Sequence, residues 1–237
     1  TYKMHRDFNP SGKRTRGLNR VERVRIRYDS EVAFTDAQIQ RVLEALPENT
    51  AVLFVADHGE SLYEHDYLGH GRRIYQTCMH IPLMVRAAGV APGRSAAPVR
   101  GIDIGPTLLG LGGLPRPDTM LGLNLLTETV PVDRARVIET YGGAVPNLPG
   151  AKGIMGDTPP MRQAVLLQGW KLIVGGSVDA LYHLEQDPGE LKNLASEYPE
   201  RVAELKAILA SWDGTVLRAE ESGEELSERD VEALRRL

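Results

Sequence analysis

The chain of 237 residues is 42% hydrophobic and 25% charged, with a formal net charge of -4 at pH 7, which suits one sizeable core with a small appendage. An acidic balance argues against a general nucleic-acid binder, and no apolar run reaches the length of a membrane-spanning helix. The single cysteine, Cys78, excludes an internal disulfide, so periplasmic, extracellular and cytoplasmic locations all stay compatible, and nothing in the composition speaks to oligomeric state.

In chain order, the first marked feature is a basic stretch made of Lys13, Arg14, Arg16, Arg20, Arg23, Arg25 and Arg27, opposed only by Glu22. It could raise the local concentration of an anionic ligand, but such runs more often form a solvated face, and that reading is preferred. His5, upstream, is given no role. Over residues 28–46, Val32, Ile39, Val42, Leu43 and Leu46 recur at helical spacing, with Asp29 or Ser30 available as a cap and Pro47-Glu48-Asn49 as a stop. The spacing predicts a helix there.

Residues 50–56 form a short, nearly unbroken apolar run, expected to be an inner strand of a parallel sheet covered on both faces. Asp57-His58-Gly59-Glu60 follows directly. In open α/β sheets the ligand crevice lies just past the carboxyl ends of such strands. A carboxylate and an imidazole together can hold a divalent cation, with Gly59 letting the backbone turn so that both face one centre. The alternative is that Asp57 caps the next segment and His58 is a solvated loop residue; the short motif leaves both open.

Residues 57–80 read as a long loop of the kind that tends to carry function. Glycines flank His70 and allow a close backbone approach to a ligand, while Arg72 and Arg73 could bind an anionic substrate or face water. His65, between Glu64 and Asp66, reads as solvent-facing, and His80 as a structural residue before a strand at residues 83–86. Asp103 is expected to cap a helix over residues 104–111 that stops at Gly112-Gly113.

A turn-rich stretch near residues 115–131 suggests a boundary, giving units 1–130 and 131–237. Beyond it, strand-like segments at 137–140, 163–168, 171–174 and 180–184 predict a small antiparallel sheet. Residues 142–161, rich in Gly and Pro, read as a loop over the crevice that helps choose the substrate. Asp187-Pro188-Gly189-Glu190 reads as a turn without a site role. A helix over 196–212, an acidic segment at 220–225 and a last amphipathic helix complete the chain.

Several of these blocks together resemble the sulfatase family, within the alkaline-phosphatase-like superfamily. They are Tyr28-Asp29-Ser30-Glu31, Asp57-His58-Gly59-Glu60 with Glu64-His65 and Gly69-His70-Gly71, Ile81-Pro82-Leu83-Met84-Val85, and Asp103-Ile104-Gly105-Pro106-Thr107. Trp170-Lys171-Leu172-Ile173, Leu181-Tyr182-His183-Leu184 and Asp187-Pro188-Gly189-Glu190 continue the likeness to Asn193-Leu194-Ala195. The resemblance implies an α/β fold, an alkaline-phosphatase-like sandwich with a mixed, mostly parallel sheet, plus a small carboxyl-terminal antiparallel sheet with a helix. It implies Asp57 and His58 as metal ligands. It also places His70 at the ester, where the family usually has lysine; Arg72, two residues on, is taken from the residues alone as a candidate for substrate binding. Histidine changes charge near neutral pH as lysine does not, so activity is expected to depend on pH more sharply.

The implied reaction is hydrolysis of an anionic sulfate ester, with no nucleic-acid partner. Calcium is the expected cation on the hardness of oxygen donors, and the histidine ligand leaves manganese, magnesium and zinc open. The family's nucleophile is a formylglycine made from a cysteine or serine in a C/S-x-P-x-R setting. The surroundings of Cys78, Gln76-Thr77-Cys78-Met79-His80, do not fit that setting. The resemblance therefore implies that the nucleophile and further ligands lie upstream, and that this chain is a carboxyl-terminal portion, inactive alone. Hydrolysis of a phosphate or phosphonate monoester on the same fold, and a non-catalytic binding module, are the alternatives.

Overall fold

A computed structural model describes residues 2–12, 16–141 and 161–212. The predicted loop over residues 142–161, apart from Met161, lies outside the described residues, as do the acidic segment and the last helix.

Helix α1 spans Arg20–Ala45 and so starts well before the apolar spacing predicts. The reason is a capping box: the Asn19 side chain accepts from the Glu22 N–H at 2.9 Å, and the Glu22 carboxylate accepts from the Asn19 N–H at 2.9 Å. Much of the basic stretch thus forms the first turns of α1. Ser30 is not a cap. It is fully buried, its hydroxyl donating to the Arg27 carbonyl at 2.9 Å and accepting from the His5 N–H at 3.1 Å.

Strand β1 (Val52–Val55) was expected to pair in parallel, but it pairs antiparallel with β4 (Leu83–Arg86), Val55 opposite Leu83. An apolar run encodes burial and β-propensity, not direction; here the chain returns beside β1 after the long loop. Every strand pairing among the described residues is antiparallel. The loop itself holds a short hairpin, β2 (Ser61–Leu62) with β3 (Leu68–Gly69), and a one-turn helix, α2 (Gln76–Met79).

Helix α3 (Ile104–Leu111) begins at Asp103, which lies at the expected position but does not cap it with its side chain. Instead the buried Asp103 carboxylate accepts from Arg100 N at 2.8 Å, Leu123 N at 2.9 Å and both Nη atoms of Arg134 at 2.7 and 2.8 Å. It ties three segments together.

The carboxyl-terminal sheet runs in the order β5 (Arg136–Thr140), β6 (Arg162–Leu167), β7 (Trp170–Val174), β8 (Ala180–His183), antiparallel as predicted. One face carries Val165, Leu172 and Leu181 against Leu205 and Leu209 of α4 (Pro199–Ser211). The other carries Ala164, Ile173 and Tyr182 against Ile74 of the long loop. Alternation along the strands explains the division, since adjacent residues point to opposite faces. The sheet is therefore a platform under the loop. Among the described residues no helix is long and apolar enough to cross a membrane.

Candidate active site

Strand β1 delivers Asp57 and His58 to the loop. Asp57 Oδ1 accepts from the His58 N–H at 2.9 Å, and Asp57 Oδ2 stands 3.6 Å from His58 Nε2. His58 Nδ1 lies 2.8 Å from the Gly59 carbonyl. A carbonyl only accepts, so Nδ1 carries a hydrogen, which leaves Nε2, on the Asp57 side, as the nitrogen that can coordinate in the neutral ring. The Asp57 side chain is 87% exposed and keeps its other lone pairs open. This pair suits a divalent cation: two unspent donors of mixed oxygen and nitrogen type, close enough to share one ion. Among the described residues no group of three or more His, Cys, Asp or Glu could hold a metal, so Asp57 and His58 would supply part of a ligand set.

Gly59 is not there for a turn, as expected, but for space. A Cβ at this position would stand 2.2 Å from the Thr77 carbonyl oxygen. The Gly59 N–H donates to the Cys78 carbonyl at 2.8 Å, so the ligand segment hangs directly on the backbone of α2.

His70 is brought to the same place. Its ring stacks on His58 with centroids 3.8 Å apart and planes at 26°. Its Nδ1 lies 3.2 Å from Glu60 Oε2, and the Glu60 side chain is only 11% exposed. The second Glu60 oxygen is also buried. Burial first, and then the Glu60 carboxylate, pushes the phenols of Tyr2 and Tyr28 up. The flanking Gly69 and Gly71 both have positive φ, 118° and 87°, a requirement that glycine meets without strain.

The backbone around His70 is held from several sides. The Tyr67 hydroxyl donates to the His70 carbonyl at 2.7 Å, and the Thr140 hydroxyl, from the end of β5, donates to the Gly71 carbonyl at 2.5 Å. Cys78 Sγ lies 3.7 Å from the Gly69 carbonyl, and burial raises its thiol.

Of the residues singled out in the sequence, Asp57, His58 and His70 come together. Arg72 does not join them: it is exposed, and no hydrogen bond or ion pair ties its side chain to the cluster among the described residues. His65 is not a simple solvated residue; it stacks on Tyr75 with centroids 3.6 Å apart.

Three residues were missed. Glu60 was read only as part of a motif, yet it is the partner of His70. Lys171 and Glu190 form a buried ion pair at 2.7 Å, with side chains 0% and 1% exposed. Glu190 Oε2 accepts from the Gln76 N–H at 2.6 Å, which fixes α2 on the platform. Burial pushes the Lys171 ammonium down while Glu190 pulls it up. A lysine inside the apolar run Trp170-Lys171-Leu172-Ile173-Val174 was the available signal.

Residues 1–114 match the family model described as Sulfatase. Arylsulfatase K of Gallus gallus is 30% identical over 211 residues, covering 81% of this chain and 37% of the relative. The chain belongs to the sulfatase family, in the alkaline-phosphatase-like superfamily. It spans between 32% and 39% of the length of the curated relatives it matches. Among solved structures, a 2-O GAG sulfatase superposes on this sulfatase-family chain with TM-score 0.62 at 20% identity, covering 90% of this chain and 44% of that one. A phosphonate monoester hydrolase of Agrobacterium radiobacter does so with TM-score 0.65 at 23% identity, covering 81% and 41%. Both share the fold. The family generally uses a divalent metal and a formylglycine.

Proposed function

We propose that this chain contributes the cation-binding and ester-facing half of a sulfuric ester hydrolase. The observation that carries the reading is the convergence at the end of β1: the Asp57–His58 donor pair with His70 stacked on it at 3.8 Å and braced by Glu60.

Asp57 and His58 would hold a divalent cation, calcium on carboxylate preference, or manganese, magnesium or zinc on the imidazole donor. When bound, the cation supplies charge that polarises a sulfuryl oxygen. His70, with Nδ1 engaged by Glu60, presents Nε2 to the ester and, when protonated, donates a hydrogen to a sulfuryl or leaving-group oxygen. Glu60, 3.2 Å from Nδ1, fixes the plane of the ring. The Gly59 contact with α2 sets the distance between the donor pair and His70. Arg72, exposed beside the cluster, is free to reach an anionic substituent.

A second reading, a phosphonate or phosphate monoester hydrolase, draws on the shared fold of the Agrobacterium radiobacter enzyme. Rates of the intact protein on 4-nitrophenyl sulfate, 4-nitrophenyl phosphate and phenyl phosphonate separate the two. Sulfate turnover is expected to lead. His70→Ala should lower kcat by about 10²–10⁴-fold, the range for a positioned acid, and Asp57→Ala should lower bound cation. Undiminished metal and turnover in both variants would refute the site.

A further inference from the structure

A cavity of about 530 Å³ lies between the end of β1, α2, the segment 95–101 and the loop-facing side of β5 and β6, and a second of about 470 Å³ adjoins it. Gln76, His80, Ala96 and Arg136 line both. The larger has the volume of a small-molecule site. Its titratable lining residues are His80, Arg100 and Arg136, with no aspartate or glutamate among the described lining residues. Met79, Ile104 and Ile138 supply an apolar wall.

The three arginines of this region differ in how they are satisfied. Arg134 gives both Nη atoms to Asp103. Arg100 gives one Nη to the Ala135 carbonyl, and its Nε is buried without an acceptor. Arg136 has a buried Nε without an acceptor, and no carboxylate pairs with its side chain among the described residues. Burial holds the Arg136 guanidinium below its usual value, and burial followed by the charge of Arg134 does the same to Arg100. Arg100 has the Asp103 carboxylate as a counter-charge, but Arg136 has none among the described residues; a partly desolvated cation without one is costly, and an anion entering the cavity would remove that cost.

The backbone fixes where this happens. Arg136 pairs with Leu166 in the β5–β6 ladder, so it sits on the loop-facing side together with Ile138 and Thr140. Thr140 marks the His70 end of the strand. Arg136 lies four residues back, about 13 Å along the strand at ~3.3 Å per residue.

We propose that Arg136 and Arg100 form a binding site for a small organic oxyanion, a carboxylate, sulfate or phosphate ester on an apolar body, apart from the His58–His70 cluster. A planar guanidinium matches such an anion with paired N–H donors, and the apolar wall takes the body.

The test reads binding and not turnover, so it stands or falls separately from the hydrolase reading. Calorimetric titration of the His70→Ala protein with benzoate, phenyl sulfate and phenyl phosphate should find one equivalent bound for at least one of them, and none for neutral phenol. Arg136→Met should weaken that binding at least tenfold with unchanged far-ultraviolet circular dichroism, and Arg136→Lys should fall between. In the unsubstituted protein the same anion should shift the Arg136 Nε–H resonance, a readout that needs no variant to fold. Absence of binding by all three anions, equal binding by Arg136→Met, or an unmoved Nε–H resonance under saturation would overturn the proposal.

Discussion

The carboxyl-terminal platform and the segments before it hold themselves together by different means. Among the described residues, nine of the twelve buried apolar ones, from Ala164 to Leu209, belong to the platform and α4; Ile26, Ile74 and Cys78 come from earlier in the chain. There, Val32, Val42, Met84 and Leu114 are each more than half exposed. The ligand loop is fixed instead by close backbone contacts and polar ties: Gly59 on α2, Thr140 on Gly71, Glu190 on Gln76. A packed sheet tolerates small volume changes by relaxing, whereas a loop held by individual hydrogen bonds fails one tie at a time. Chemistry placed on such a loop depends on the platform beneath it.

The largest effect expected from breaking this division is at Lys171. Lys171→Met leaves Glu190 as an unpaired buried carboxylate and should cost about 3–5 kcal/mol in urea unfolding, while Lys171→Met with Glu190→Met should recover most of it. A single variant as stable as the parent would show that the pair does not join loop to platform. Next, Gly59→Ala forces the Thr77 carbonyl aside and should cost about 1–3 kcal/mol, with weaker cation binding by equilibrium dialysis; an unchanged melting temperature and affinity would remove the close-contact argument.

Acid should act on the earlier segments through Asp103. Burial alone raises its carboxyl, but hydrogen bonds from Arg134, Leu123 and Arg100 outweigh it and hold it below the ordinary 3.8. The folded value lies below the unfolded one, so its contribution is complete above about pH 4 and is lost as pH falls through the lower folded value. Asp103→Asn should flatten that part of the stability–pH curve, and an unaltered curve would contradict the assignment. The smallest effect is expected at Val42, 59% exposed on α1, where Ala should change stability by no more than about 0.5 kcal/mol.

Much of the platform was legible from sequence because β-branched runs broken by Gly and turn residues specify strands directly; each of β5 to β8 starts within one residue of its expected position. The start of α1 was not, because its signal is the polar Asn19–Glu22 box inside a basic stretch and not apolar spacing. The direction of β1 was hidden because pairing is decided by a partner many residues away. At the site, Asp57, His58 and His70 were visible as a motif, but Glu60 was not recognisable as the partner of His70 until the loop folded back on itself. Lys171 and Glu190 were obscured for the same reason, each looking local while their pairing is long-range.

The carbonyls of Gly69, His70 and Gly71 are met by Cys78, Tyr67 and Thr140, three side chains from three different parts of the chain. With its main chain pegged this way, the imidazole at position 70 keeps only side-chain torsions as freedom. Ligands of unequal girth must then be accommodated by the opposite wall of the crevice, and selectivity will be altered more readily by resculpting that wall than by loosening the histidine's own footing.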